Sequence, residues 1–425
     1  MSEGVVLLIG SGQRAYREYL FPGLGRRAPL WLIDEATPVW QRRYVAGSCT
    51  VPPVGGNDVV PDEERLIDAA LEVASRRPVL GVCTYDELLV IATARVGERL
   101  GLPGLGVATA RRCRDKLATR QALTRAGLPQ PRFALVHSQH EAVSAGGEVG
   151  YPLVLKPRGM GASVGVVQVD RPTDLEAAFA VATHASRFGP PTFDDGVLME
   201  EMVEGMEISV DGAVVEGEYQ PFCLARKRTG LAPYFEEVAH LVDPVDHLLQ
   251  DPGLREILDA AHQALGVRNG VTHTEVRLAE RGLVVIEVNA RLGGDLIPYL
   301  GRLASGIDAG ALLAEVAMGI RPSLKPRPRG CAGIRFLYPP QDCRVLDLHL
   351  PRRGAVRGLT LARPMVKPGA TVRLPPRAHV GRCAFFVVRA RRPSECDARL
   401  EQAVARARLD YEPLPLGALD GERPW

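Results

Sequence analysis

Short, unbroken apolar runs open the chain: VVLLIG at 5–10, PLWLID at 29–34 and PVLGVC at 78–83, separated by stretches of helical character. Runs of this length without polar alternation suit strands buried on both faces, as in a parallel sheet covered by helices. Val5 to about Gly106 therefore predicts a Rossmann-like α/β unit. Arg111 to Gly127 is helical in character and stops as a helix should, at Gly127 with Pro129 close behind. Beyond it the pattern changes to strands mixed with helices. YPLVLK, VGVVQV, GVLMEE, EISVDGAVV, THTEVRL and LVVIEVNA read as strands, with helices near 173–183 and 253–265. At 321–330, RPSLKPRPRG reads as a linker or an ordered crossing. AGIRFLY, CAFFVVRA and a helix near 394–408 then form a smaller unit. The expected division is 1–110, 111–320 and 321–425, an α/β unit followed by α+β units, with no internal repeat.

Composition fits this picture and narrows the partners. A chain of 425 residues suits two or three domains, and 46% hydrophobic with 24% charged residues is ordinary for a folded globular protein. The 52 basic and 50 acidic residues leave a formal charge of +2, so no whole-chain field draws it to nucleic acid or an anionic membrane. Charged substrates must be recognised locally. The eight cysteines form no CxxC pair and read as reduced packing thiols. The first apolar run stops at Gly10 without a basic n-region, so the expected compartment is the cytoplasm.

Gly10-Ser11-Gly12-Gln13-Arg14-Ala15 fits the G-x-G-x-x-A turn of dinucleotide-binding folds, and Asp34 ends the next strand near the spacing of a ribose-binding acid. A dinucleotide-dependent oxidoreductase is one reading. A tight strand-to-helix turn, or a substrate-binding turn, is the other. Thr84-Tyr85-Asp86-Glu87 ahead of an apolar helical run reads as a capping box.

The segment from Lys156 through Gly159, Gly161, Ala162, Ser163 and Val164 to Gly165 is a small-residue loop between two strands, with a cation at its entrance. Such backbone can turn successive N–H groups inward as an anion nest, to which Lys156 adds a point charge. It is not a Walker A loop, because no GK[ST] follows. Lys116, one strand-and-helix unit earlier, offers a second cation to the same polyphosphate. Further on, Met199, Met202 and Val203 could wall a purine slot with backbone groups near Glu201 and Val203 on the base edge. Glu200 could accept from an exocyclic amine and Glu207 from ribose hydroxyls.

THTEVRLAERGLVVIEVNARLGGD reads as a hairpin. A three-residue loop Glu280-Arg281-Gly282 pairs Ala279 with Leu283 and sets Glu275 opposite Glu287, with Asn289 and Arg291 on the same face. Facing carboxylates repel unless a cation lies between them. Magnesium suits the site, since it takes hard oxygen ligands of the kind offered by Glu275, Glu287 and Asn289. Arg291 could steady a transferring phosphoryl group.

On these residues the chain resembles the ATP-grasp superfamily, and within it the L-amino-acid ligases that make dipeptides. The resemblance implies an ATP-grasp fold with a Rossmann-like N-terminal domain and a small C-terminal α+β domain. It implies ATP as substrate and Mg2+ or Mn2+ as cofactor. Lys116 and Lys156 fall on the family's phosphate lysines, 159–165 on its phosphate loop, and Glu200, Glu201, Met202, Val203 and Glu207 on its adenine and ribose contacts. Glu275, Glu287 and Asn289 fall on its metal ligands and Arg291 on the acyl-phosphate arginine. The stretches ARKRT at 225–229 and YFEEVAH at 234–240 add Lys227 and His240 as further catalytic candidates, with Ala239 where the family often has glycine. The implied reaction activates a carboxylate as an acyl phosphate and passes it to an amine, with small-molecule substrates, amino acids foremost. A carrier-protein thiol as acceptor, a homodimer and a non-catalytic nucleotide-binding module also stand as readings.

Overall fold

Four parallel strands organise the N-terminal third: β1 (Val5–Ile9), β2 (Leu30–Asp34), β3 (Gly47–Thr50) and β4 (Val79–Cys83), in the order β3-β2-β1-β4. The central strand β1 is buried along its whole length, as its unbroken apolar run requires. One face packs against the helices Glu63–Arg76 and Val90–Leu100, and the other against Ala309–Ala317 from much later in the chain. This computed structural model describes residues 4–52, 62–188, 191–193 and 195–415; the outer ends of the expected first and third units lie outside them.

The helix expected across 111–127 is two helices, Val107–Arg114 and Lys116–Arg125. Asp115 breaks the run with an extended backbone, and its carboxylate accepts from Leu117 N–H at 3.0 Å as the cap of the second helix. Lys116 thereby becomes the first residue of a helix. Gly127, at φ +66°, provides the expected stop.

A second four-stranded sheet follows from β5 (Phe133–Val136), β6 (Leu153–Pro157), β7 (Val167–Val169) and β8 (Val197–Glu201), ordered β5-β8-β6-β7. The next strands are β9 (Met206–Val215), β10 (Glu218–Gly230), β11 (Glu236–Val242), β12 (Gly270–Ala279) and β13 (Gly282–Asn289). The proline-rich 321–330 has neither helix nor strand and is pinned by Arg327 and Arg329 N–H donating to Ser305 and Ala304 carbonyls, both at 2.7 Å, so it is an ordered crossing.

After it come β14 (Cys331–Leu337), β15 (Cys343–His349), β16 (Leu359–Pro364), β17 (Thr371–Val372), β18 (Ala384–Ala390) and β19 (Arg408–Pro413). Three of these extend the large sheet, which runs β13-β12-β9-β10-β11-β14-β18-β16, while β17, β15 and β19 pair separately. The large sheet thus takes strands from both sides of the crossing. Among the described residues no helix is long and apolar enough to cross a membrane.

Candidate active site

The pocket that gathers the charged residues lies between the second sheet and the large one. Its floor is the β12–β13 hairpin. The connecting loop is two residues, Glu280-Arg281, with Ala279 opposite Gly282 and Leu278 opposite Leu283. The expected three-residue loop is therefore corrected, yet Glu275 still faces Glu287. A bulge at Ile286 restores the offset. Its backbone groups are satisfied from outside the hairpin: Val285 N–H donates to Pro129 O at 3.0 Å, and the Arg120 guanidinium donates to Val285 O at 3.1 Å and to Ile286 O.

The roof is the loop between β6 and β7. Ala162 and Ser163 both take left-handed backbone, at φ +53° and +58°, and Val164 and Val166 N–H close tight turns onto Gly161 and Ser163 carbonyls at 3.1 Å. Consecutive non-glycine residues in that region are costly and cluster at functional sites. Gly165, at φ +72°, is required on space as well, because a Cβ there would come within 2.4 Å of Ala185 Cβ. Met160, Gly161, Ala162 and Ser163 line the pocket, whereas Gly159 and Val164 do not. Gly159 O instead accepts from Arg114 at 2.9 Å, and Val164 is buried.

Cations and acids alternate across the gap. Lys116 Nζ reaches Glu287 at 2.9 Å and donates to Met160 O at 2.5 Å, tying floor to roof. Lys156, at the end of β6, pairs with Glu200 at 2.6 Å, and Glu200 also meets Arg120 at 2.7 Å. Burial lowers the Lys156 pKa, against the pull of Glu200. Lys227 sits among Glu207, Glu237 and Glu275 at 2.5, 2.7 and 2.7 Å. Burial opposes its charge, but those three acids hold its pKa well above the ordinary value. Burial likewise opposes ionisation of Glu275 and Glu237, yet Lys227 with His273 holds the first far down, and Lys227 with His240 holds the second below the ordinary carboxylate range. Arg291 Nε meets Glu87 at 2.5 Å.

The other expected residues divide between the pocket lining and the packing behind it. Glu200 lines the pocket, buried, with its carboxylate engaged by Lys156 and Arg120. Met199 is in the core of the second sheet, because period-two alternation turns it away from the face that carries Glu200. Val203 and Met202 line the pocket beside Met160 and Ile286, and Glu201, also in the lining, is paired with Arg132 and Arg281. Asn289 lines the same pocket, opposite His273 in register. His240 does not line it. Its Nε2 lies 3.0 and 3.1 Å from Glu237 and Asp295, which do, so it stands behind the wall and positions two acids. Burial opposes its protonation, but those acids raise its pKa.

Several site residues carried no signal of their own. His273, two positions before Glu275, bonds Asp211 at 2.6 Å; the alternation of THTE places it on the acid's face. Arg120 looks like a solvated helix residue in sequence and is fully buried. Glu87 is not part of a capping box: Asp86 caps the turn by accepting from Leu88 N–H at 3.0 Å, which frees Glu87 to reach Arg291 and Arg114. The N-terminal glycine turn is closed on itself. Ser11 Oγ donates to Asp34, Gln41 Nε2 donates to Ser11 Oγ at 2.7 Å, and Glu35 N–H occupies the other Asp34 oxygen at 3.0 Å. Asp34 is buried and bonded within the turn, and the dinucleotide reading is not favoured.

Residues 149–298 match the family model of the ATP-grasp domain, and 335–412 that of the L-amino acid ligase C-terminal domain 2. The chain is 31% identical over 310 residues to alanine–anticapsin ligase of Bacillus subtilis. The chain carries an ATP-grasp domain. That alignment covers 68% of this chain and 62% of the ligase, so the chain spans about three fifths of the length of the relative it matches. D-alanine–D-alanine ligase of Ectopseudomonas mendocina is 29% identical over 235 residues, covering 52% of this chain and 70% of that enzyme. Among solved structures, the L-amino acid ligase from Bacillus licheniformis superposes on this ATP-grasp protein with a TM-score of 0.77 at 22% identity, covering 97% of this chain and all of the other. Biotin carboxylase from Campylobacter jejuni shares the fold at a TM-score of 0.69 and 17% identity, covering 96% of this chain and 92% of that one.

Proposed function

We propose that this protein is an ATP-dependent carboxylate–amine ligase that joins two amino acids, releasing ADP and phosphate. The observation that carries the reading is the hairpin pair: Glu275 and Glu287 face each other beneath a strained phosphate-type loop, with Lys116, Lys156, Lys227 and Arg291 around the same pocket. The names of the relatives, alanine–anticapsin ligase and D-alanine–D-alanine ligase, support the amino-acid class of both substrates.

Glu275, Glu287 and Asn289 form an all-oxygen donor set lining one pocket, which fits magnesium or manganese. Bound there, the ion would neutralise charge on the triphosphate. The lysines that pair with these acids would turn to phosphate oxygens: Lys116 and Lys156 on the polyphosphate, Lys227 at its far end. Met160, Met202, Val203 and Ile286 would enclose the adenine. A substrate carboxylate oxygen attacks the γ-phosphorus in line and ADP leaves, with Arg291 against the transferring group. The loop 159–165 covers the acyl phosphate and keeps water out. An unprotonated amine then attacks the carbonyl carbon, the C–O bond to phosphate breaks, and the amine's proton passes to released phosphate or solvent. His240 acts through Glu237 and Asp295 rather than on the amine. The eight cysteines are all unpaired, which suits the reducing cytoplasm.

Incubation with Mg-ATP and pools of amino acids, with phosphate release and product mass measured, tests the reading. Dipeptides formed one-to-one with ADP and phosphate are expected. AMP and pyrophosphate as products, or reduction of a nicotinamide, would contradict it, and a thioester on a carrier protein would move the acceptor from amine to thiol.

A further inference from the structure

The loop between β17 and β18, in the C-terminal part of the chain, reaches into the pocket. Val380 and Arg382 line it, and His379, fully buried, touches the phosphate loop. Gly165 N–H donates to His379 Nε2 at 3.2 Å, and His379 Nδ1 lies 3.1 Å from Glu236 Oε1. A carboxylate accepts, so Nδ1 carries the proton and Nε2 is left as the acceptor that Gly165 needs. Glu236 is itself held from several sides. Val380 N–H donates to both its oxygens at 3.2 and 3.1 Å, and Tyr338 OH donates at 2.9 Å. Val380 takes left-handed backbone at φ +57°, a conformation costly for a β-branched residue and maintained by those two bonds.

Two further contacts join the same parts. Gln168 N–H donates to Pro233 O at 2.9 Å, and Tyr234 packs edge-on against the His379 ring at 6.1 Å. Glu236 begins β11, whose next residue, Glu237, faces Lys227. One buried imidazole therefore links the phosphate loop, the strand bearing pocket acids and the C-terminal loop.

We propose that His379 is a positioning residue that latches the 159–165 loop closed, so that the C-terminal part of the chain governs how well the phosphate loop shields the intermediate. The proposal rests on the reading of 159–165 as the triphosphate cover. Loss of the latch leaves the pocket residues in place but lets the loop open during the lifetime of the acyl phosphate. Water then competes with the amine, and phosphate is released without amide formation.

Two substitutions separate the latch from mere folding. His379→Asn keeps a donor for Glu236 but cannot reach Gly165, whereas His379→Gln places an amide oxygen near the position of Nε2 and restores an acceptor. Hydrogen exchange across 159–166 is measured in the full-length protein with and without Mg-AMPPNP, alongside phosphate released per amide formed and the melting temperature. For His379→Asn, exchange at this segment is expected to quicken roughly fivefold to tenfold, with phosphate per amide rising and the melting temperature near the parent's; His379→Gln returns both toward parental values. A folded His379→Asn protein with parental exchange and parental phosphate per amide overturns the proposal, as does a defect of equal size in His379→Gln. Failure of the parent itself to bind Mg-AMPPNP would instead strike the ligase reading.

Discussion

Two glycine-bearing turns in this chain each follow a buried strand, and both look like places for a nucleotide. At Gly10–Gly12 the nearby acid, Asp34, is bonded to Ser11, and Ser11 to Gln41, so the polar groups are spent on one another. At 159–165 the turn faces a floor where Glu275 and Glu287 oppose each other and each holds a lysine that a polyphosphate could claim. A turn motif shows only that the backbone can approach an anion; what stands opposite decides whether one is bound. The N-terminal unit still serves the second site, through Glu87 rather than its glycines. Glu87 bridges Arg114 and Arg291.

The sharpest break of this comparison comes from Glu287→Ala, expected to lower kcat by about 10³ or more with the circular dichroism spectrum unchanged. Parental turnover in that variant would remove Glu287 from the metal site. Arg291→Lys keeps the charge but loses the planar fork; kcat should fall about 10²-fold with KM for ATP little changed. A rise confined to KM would assign Arg291 to ground-state binding instead.

Glu87 gives a pH signature. Burial raises its pKa, but Arg291 and Arg114 prevail and hold it at about 2, below the ordinary glutamate value of 4.5. As pH falls, the unfolded chain takes up this proton first. The stabilisation from ionised Glu87 is therefore complete above about pH 4.5 and lost as pH falls toward 2. Urea unfolding of the parent and of Glu87→Gln should show their difference shrinking by on the order of 2 kcal/mol between pH 5 and pH 3. A difference that is constant over that range would deny the ion pairs. Smallest is Ser11→Ala, expected to cost about 1 kcal/mol of stability through lost buried hydrogen bonds while leaving KM for ATP within about twofold of the parent. A large rise in that KM would reopen the N-terminal turn as a nucleotide site.

The hairpin acids were legible because strand alternation and a short loop constrain which residues can face each other, and the match survived an error in the loop through the bulge at Ile286. The parallel sheet was legible from its apolar runs. What escaped depends on contacts distant in sequence. Arg120, a helix residue, satisfies the bulge and Glu200 together. Asp115 divides a helical run that periodicity could not divide. His379 meets Gly165 across 214 positions, and neither residue hints at the other. His240 has the chemistry of a reactive imidazole, yet it is buried behind the acids it holds.

A crystal of the protein grown with Mg-AMPPNP tests the central claim most directly. The account predicts an ion about 2.0–2.1 Å from oxygens of Glu275, Glu287 and Asn289 and bound to the phosphates, with Lys116 and Lys156 turned to the nucleotide. Phosphates bound away from the hairpin, with Glu275 and Glu287 still paired to their lysines, would contradict it.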